Sequence, residues 1–182
     1  MAQQENLKTS AQRAQAIKRM IRVNHAGEFG AKRIYAGQLA VMGDRTPAAR
    51  SIAHMAEQEE RHLSAFDKMM TERGVRPTAL HPVWNVAGFA LGAVSAAIGP
   101  EAAMACTVAV ETEIDRHYSE QLAEIGDSDP ELSAMIADFQ ADELEHKATA
   151  LEQGAERAPA YPLLSALVRM GCRTAIAVSK HI

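Results

Sequence analysis

A chain of 182 residues, 47% apolar and 23% charged, is long enough to bury one substantial core and too apolar to stay disordered. Its net charge of −4 excludes a basic nucleic-acid binder, so no nucleic-acid partner is expected. Two cysteines, Cys106 and Cys172, stand far apart and outside any C-x-x-C spacing, which excludes a disulfide scaffold and a thiolate zinc site.

The polar N-terminus, Met1 to Ala14, lacks the apolar stretch of a signal peptide, and residues 1–9 are expected to be flexible. A helical pattern then runs over 10–42. Gly43-Asp44-Arg45-Thr46-Pro47 closes it, with Thr46 as the N-cap and Pro47 as the first residue of a second helix over 46–73. Between Pro77 and Pro100 there is no Asp, Glu, Lys or Arg. That stretch is nearly long enough to span a bilayer. It is rich in Gly, Ala and Ser and contains His81, Pro82 and Asn85, so an interfacial or buried helix over 82–98 is expected instead. Gly99-Pro100-Glu101 opens a third long helix over 100–125. The turn Gly126-Asp127-Ser128-Asp129-Pro130-Glu131 carries a Ser128/Glu131 capping-box pattern before a fourth over 129–153. Gly154 stops that helix, and Tyr161-Pro162 introduces an amphipathic stretch to about Ser179 within a C-terminal segment 155–182. One all-α domain over 1–182 follows. It is a four-helix bundle with a long helical crossover (77–100) between helices two and three and a C-terminal amphipathic helix.

The chemistry sits in those helices. Glu59-Glu60-Arg61-His62 is a Glu-x-x-His on the second helix, and Glu143-Leu144-Glu145-His146 is another on the fourth. Residues three apart share a helix face, so each Glu and its His can reach one point together. Helices one and three each hold a Glu in an apolar neighbourhood, Glu28 and Glu111. The spacing repeats: Glu59 to Glu143 and His62 to His146 are both 84 residues. Counted from turns at Asp44 and Asp127, all four carboxylates lie roughly 22–24 Å along their helices, at one level of the bundle. Four carboxylates packed together cost many kcal/mol without cations, and two multivalent metal ions remove that cost. A Glu from each of two helices plus Glu-x-x-His from the other two is the ligand set of ferritin-like di-iron and di-manganese proteins, and carboxylate-rich O/N ligation suits iron or manganese. Paired ferrous ions in such a site chiefly react with dioxygen.

A single Glu-x-x-His on a helix is ordinarily a solvated pair; two of them, level with two further Glu, are not. Glu57, Glu60, Glu113 and Glu145 fall off the shared face and read as solvated or interhelical charges. His25, His54 and His117 read as supporting or surface groups. Tyr118, seven residues after Glu111, lies on the same face and borders the site or packs. Asp142 is positioned to support a histidine ligand from behind, and Gln58 occupies the equivalent place on helix two.

The chain resembles the demethoxyubiquinone hydroxylase family from about Arg19 to Ser179. Among the stretches that carry the resemblance are Arg22-Val23-Asn24-His25-Ala26-Gly27-Glu28, Trp84-Asn85-Val86-Ala87-Gly88-Phe89-Ala90-Leu91-Gly92, Ala103-Met104-Ala105-Cys106-Thr107-Val108-Ala109-Val110-Glu111 and Asp142-Glu143-Leu144-Glu145-His146. The resemblance implies a di-iron monooxygenase of ubiquinone biosynthesis, with iron ligands falling on Glu28, Glu59, His62, Glu111, Glu143 and His146. It implies insertion of one oxygen atom from dioxygen into the ring of a polyprenylated demethoxyubiquinol. NADH is implied as electron donor. Arg19 and Arg173 match residues implicated in reductant binding, while Ala177 and His181 stand where animal members have Tyr and Arg. A membrane-dissolved substrate further implies peripheral docking on a bilayer through Val83–Ile98 and Leu163–Val178, with Arg169 and Arg173 placed to meet lipid phosphates. The location expected is the cytoplasmic side of a bacterial cell membrane, or the matrix side of the mitochondrial inner membrane if a transit peptide has been removed. Other ubiquinone-biosynthesis proteins, a lipid-binding accessory protein and a second copy of the chain are implied as partners. The rival readings are a ferroxidase or iron-storage protein, and a manganese catalase.

Overall fold

The computed structural model describes the backbone of residues 2–181 and the side chains of residues 10–181; the stretch over 1–9, expected to be flexible, lies outside the described side chains. Among the described residues there are six α-helices and no strand: α1 Ala2–Met42, α2 Pro47–Arg73, α3 His81–Ile98, α4 Pro100–Ile125, α5 Pro130–Glu152 and α6 Tyr161–Ser179. The expected all-α, ferritin-like bundle is formed by α1, α2, α4 and α5. Helix α3 is the crossover and lies along α1; α6 follows a short 3-10 turn and lies along α4.

Local chemistry sets the ends. The Thr46 hydroxyl accepts from the Ala49 amide at 3.1 Å and Pro47 takes the first helical position. Gly74, at φ 59°, turns left-handed and donates its N–H back to Met70 and Thr71. The Ser128/Glu131 capping box does not form. Asp129 is the cap, its Oδ1 accepting from the Leu132 amide at 3.1 Å, because Ser128 turns back to the Ile125 carbonyl and Arg73 draws Glu131 away at 2.6 Å.

Helix α3 seats closely on α1 because glycines meet there. A Cβ on Gly92 would overlap the Ile34 carbonyl, and one on Gly37 would overlap the Phe89 carbonyl. One apolar cluster, Ile34, Cys106, Ala109, Val110 and Val168, joins α1 and α4 to α6, and the rest of the core falls into two apolar layers. One gathers Tyr35, Ile52, Met55, Met104 and Val108; the other gathers Ile21, Phe66, Tyr118, Ile136 and Phe139. Between them lies a polar layer.

Candidate metal centre

That layer is where α1 delivers Glu28, α2 Glu59 and His62, α4 Glu111, and α5 Glu143 and His146. None of the six is more than 1% exposed. They form two groups whose donor atoms lie within 4.8 Å of one another: Glu28, Glu59, His62 and Glu143, and Glu59, Glu111, Glu143 and His146. Glu59 and Glu143 belong to both. The expected level therefore holds: six side chains from four helices meet at one height.

The cluster is short of positive charge and of hydrogen bonds. Both oxygens of Glu59 and Oε2 of Glu111 are buried without a hydrogen-bond partner. Burial, and then the charge of Glu143, pushes the Glu59 and Glu111 carboxyls well above the usual carboxylate range; Glu143 is also raised, chiefly by burial. Burial alone would lower the His62 imidazole, but its hydrogen bonds to Glu143 and Glu28 outweigh that and lift it to about 10. Orphaned carboxylate oxygens facing two imidazole nitrogens are the donor set a divalent cation requires, so the cluster fits a metal site.

Four of the six donors, His62, His146, Glu28 and Glu111, are held from outside the layer, and the supports cross between the halves of the bundle. His62 turns Nδ1 inward, 3.2 Å from Glu28 Oε2, and its Nε2 meets Asp142 Oδ2 at 2.9 Å. His146 turns Nδ1 to Glu143 Oε2 at 3.1 Å, and its Nε2 meets Gln58 Oε1 at 3.0 Å. An acceptor behind Nε2 keeps the proton there and leaves Nδ1 free to ligate. The Tyr118 hydroxyl donates to Glu28, and the Tyr35 hydroxyl donates to Glu111 Oε1 at 2.5 Å. Phe139 stacks on the His62 ring, with centroids 4.0 Å apart.

The family model for ubiquinone biosynthesis protein COQ7 matches residues 15–179. The chain belongs to the COQ7 family. It is 49% identical over 169 residues to the 3-demethoxyubiquinol 3-hydroxylase of Rhodospirillum rubrum, covering 93% of this chain and 80% of that protein. It is 52% identical over 170 residues to the NADPH-dependent 3-demethoxyubiquinone 3-hydroxylase, mitochondrial, of Mus musculus, covering 91% and 78%. With the 5-demethoxyubiquinone hydroxylase, mitochondrial, of Saccharomyces cerevisiae it shares 39% over 182 residues, covering 91% and 78%. The reductant in the mouse protein's name is NADPH, where the resemblance implied NADH.

In this COQ7-family chain the remaining predicted residues fall as follows. Asp142 and Tyr118 both touch the cluster. His25 bonds Asp67 at 2.9 Å, His117 meets Gln121 at 2.8 Å and His54 is exposed; none joins it. Of the two readings for Glu113, solvated or interhelical, the structure shows the interhelical one. It is fully buried, because α6 covers it and brings Arg169 and Arg173 onto it from one side while Arg116 binds it from α4. The guanidiniums expected to face lipid phosphates thus point at Glu113. Arg19 borders a cavity of about 110 Å³ with His117, Glu120, Gln121 and Lys180, and Glu120 is linked through Arg116 to the Glu113–Arg173 pair. Two supports escaped the sequence reading as site residues: Tyr35, and Gln58 as the partner of His146. Tyr35 lies seven residues after Glu28, as Tyr118 lies seven after Glu111, and that shared offset was the available signal.

A second feature is an apolar cavity whose wall lies one residue along the chain from Glu28 and Glu111. About 450 Å³ in volume, it opens between α1, α3, α4 and α6, lined by Gly27, Ile34, Trp84, Leu91, Val110 and Leu167 among others. Its wall includes Gly27 and Val110, the neighbours of Glu28 and Glu111 in the chain. Around it α3 exposes Val83, Val86, Val94 and Ile98, and α6 exposes Leu163, Leu167 and Met170.

Proposed function

We propose that this chain is a di-iron monooxygenase that hydroxylates the ring of a polyprenylated demethoxyubiquinol in ubiquinone biosynthesis; its relatives' names state a demethoxyubiquinol or demethoxyubiquinone hydroxylase. The observation that supports it most is the pairing of the buried Glu/His cluster with an apolar cavity lined by the chain neighbours of Glu28 and Glu111. Iron would be held at one position by Glu28, Glu59, His62 and Glu143 and at the other by Glu59, Glu111, Glu143 and His146, with Glu59 and Glu143 shared. Two iron ions bound there supply dioxygen activation and transfer of one oxygen atom to the ring.

The chain's own residues do the rest. Asp142 and Gln58 fix the imidazoles, and Tyr118 and Tyr35 hold Glu28 and Glu111 in place. The cavity wall excludes water and receives the ring, while its opening between α3 and α6 passes the prenyl tail. Exposed valines and leucines on both helices favour peripheral docking on a bilayer, from which such a substrate must be drawn. Helix α3 is long and apolar enough to cross a membrane, but its seat on α1 favours lying at the interface. The same apolar faces would seat a lipid-binding accessory protein or a second copy of the chain. A nicotinamide reductant's anionic groups would meet Arg19 and Lys180, with Arg173 nearby through Glu113.

Storage of iron or disproportionation of peroxide needs no apolar cavity of this size. The test is labelled dioxygen with a short-chain demethoxyubiquinol and reductant. One labelled oxygen atom is expected on the ring, and Glu111→Ala should abolish it while the helical circular dichroism persists. Label found only in water, or iron mineral accumulating over many turnovers, refutes the hydroxylase reading.

A further inference from the structure

The two halves of the cluster are built alike but backed unequally. Behind His62 stands the Asp142 carboxylate, at 2.9 Å, itself held by Arg61; behind His146 stands the neutral Gln58 amide, at 3.0 Å. Arg61 also binds Asp138 at 2.9 Å, so its charge is divided and Asp142 keeps more negative character than an amide oxygen. A carboxylate accepting the Nε2 proton makes Nδ1 a stronger donor than an amide does. Each group otherwise offers three carboxylates and one imidazole, so this support sets their donor strengths apart.

Access differs in the same sense. A third cavity, about 370 Å³, lies between α2 and α5 and is lined by Arg50, Ser51, His54, Gln58, Glu145 and His146 among others. Polar and charged side chains make up most of its lining beside Pro47 and Met55, it reaches the Gln58–His146 pair, and its rim carries the exposed imidazole of His54 and carboxylate of Glu145. The Arg50 guanidinium, which would repel a cation, is turned to the Arg45 carbonyl at 3.0 Å. On the other side the Phe139 ring covers His62, and Phe66 packs edge-on against Phe139 at 5.6 Å.

We infer that the two metal positions are unequal: the one containing His62 holds a divalent cation tightly, and the one containing His146 is weaker and exchanges its ion with solvent through the cavity between α2 and α5. This rests on the reading of the cluster as a two-metal site.

The experiment loads the full chain anaerobically with ferrous iron and follows its removal by a chromogenic chelator, with melting by circular dichroism as the check on folding. Two release phases of one ion each are expected, separated at least about tenfold. Asp142→Asn should speed the slow phase by roughly 10–100-fold, the range for losing such a support, and merge the two. Gln58→Glu should slow the fast phase, and Ser51→Trp, which narrows that cavity, should slow it without touching the slow one. A single phase for two ions in the unaltered protein, or Asp142→Asn acting on the fast phase alone, overturns the inequality and leaves the two-metal reading standing. Uptake of no iron overturns both.

Discussion

Glu113→Gln tests how α6 is held over the bundle. The carboxylate accepts from Arg116 Nε at 3.0 Å, Arg169 Nε at 2.6 Å, and Arg173 Nε and Nη2, both at 2.9 Å. Burial alone would raise its pKa, but hydrogen bonds from Arg173, Arg169 and Arg116 outweigh it and hold the group at about 2. Charge-assisted hydrogen bonds in a dry site reach about 1.5–3 kcal/mol each. Here the three arginine side chains are 40–53% exposed, so hydration and salt reduce the whole set to about 2 kcal/mol. For a chain of this length that is about 4–8 °C in Tm. A folded-state value below the ordinary 4.5 adds stability above that pH and loses it as pH falls toward 2. The gap between the two proteins should therefore be full at pH 7 and close in acid. Calorimetry at pH 7 and pH 3, with hydrogen exchange read helix by helix, makes the measurement, and protection should fall first in α6. A Tm within about 1 °C of the unaltered protein at pH 7, with α6 protection unchanged, would mean that the Glu113 contacts do not hold α6 in place.

Glu143→Ala or His146→Ala should lose at least one bound iron by elemental analysis; unchanged stoichiometry for both variants contradicts the ligand assignment. The metal-free protein should grow more stable in urea as pH falls from 8 to 5. Glu59, Glu111 and Glu143 are raised in the folded state, so their stabilising protonation is complete in acid and lost as pH rises; a flat profile excludes this. Val86→Asp with Val94→Asp, at positions 68% and 60% exposed, should weaken liposome co-sedimentation by about tenfold per residue, from about 1.5 kcal/mol of lost apolar contact each, while iron content stays constant.

The helix ends were legible because their signals are local: Thr46-Pro47 and Gly154 each act within one turn of chain. The six cluster residues were legible because helical register and equal distances from the turns are arithmetic. What depended on a partner from another element was not. Ser128 and Asp129 compete for one cap, and only the position of Arg73 decides between them. Asp142 was visible as a support, but not that it serves the histidine of the opposite helix. Glu113 sits two residues off the metal-facing side of its helix, a position solvated in a bare bundle, and only the path of α6 buries it.

The crossing of supports also bears on how such a molecule could come about. Tyr35 serves Glu111 while Tyr118 serves Glu28, and Gln58 serves His146 while Asp142 serves His62. Each hairpin thus completes the other, as two copies of one ancestral hairpin pairing about a dyad would do. Such a homodimer must carry the same residue at both supporting positions. Within a single chain the two positions can differ, and Gln58 against Asp142 is where the two hairpins depart from that likeness.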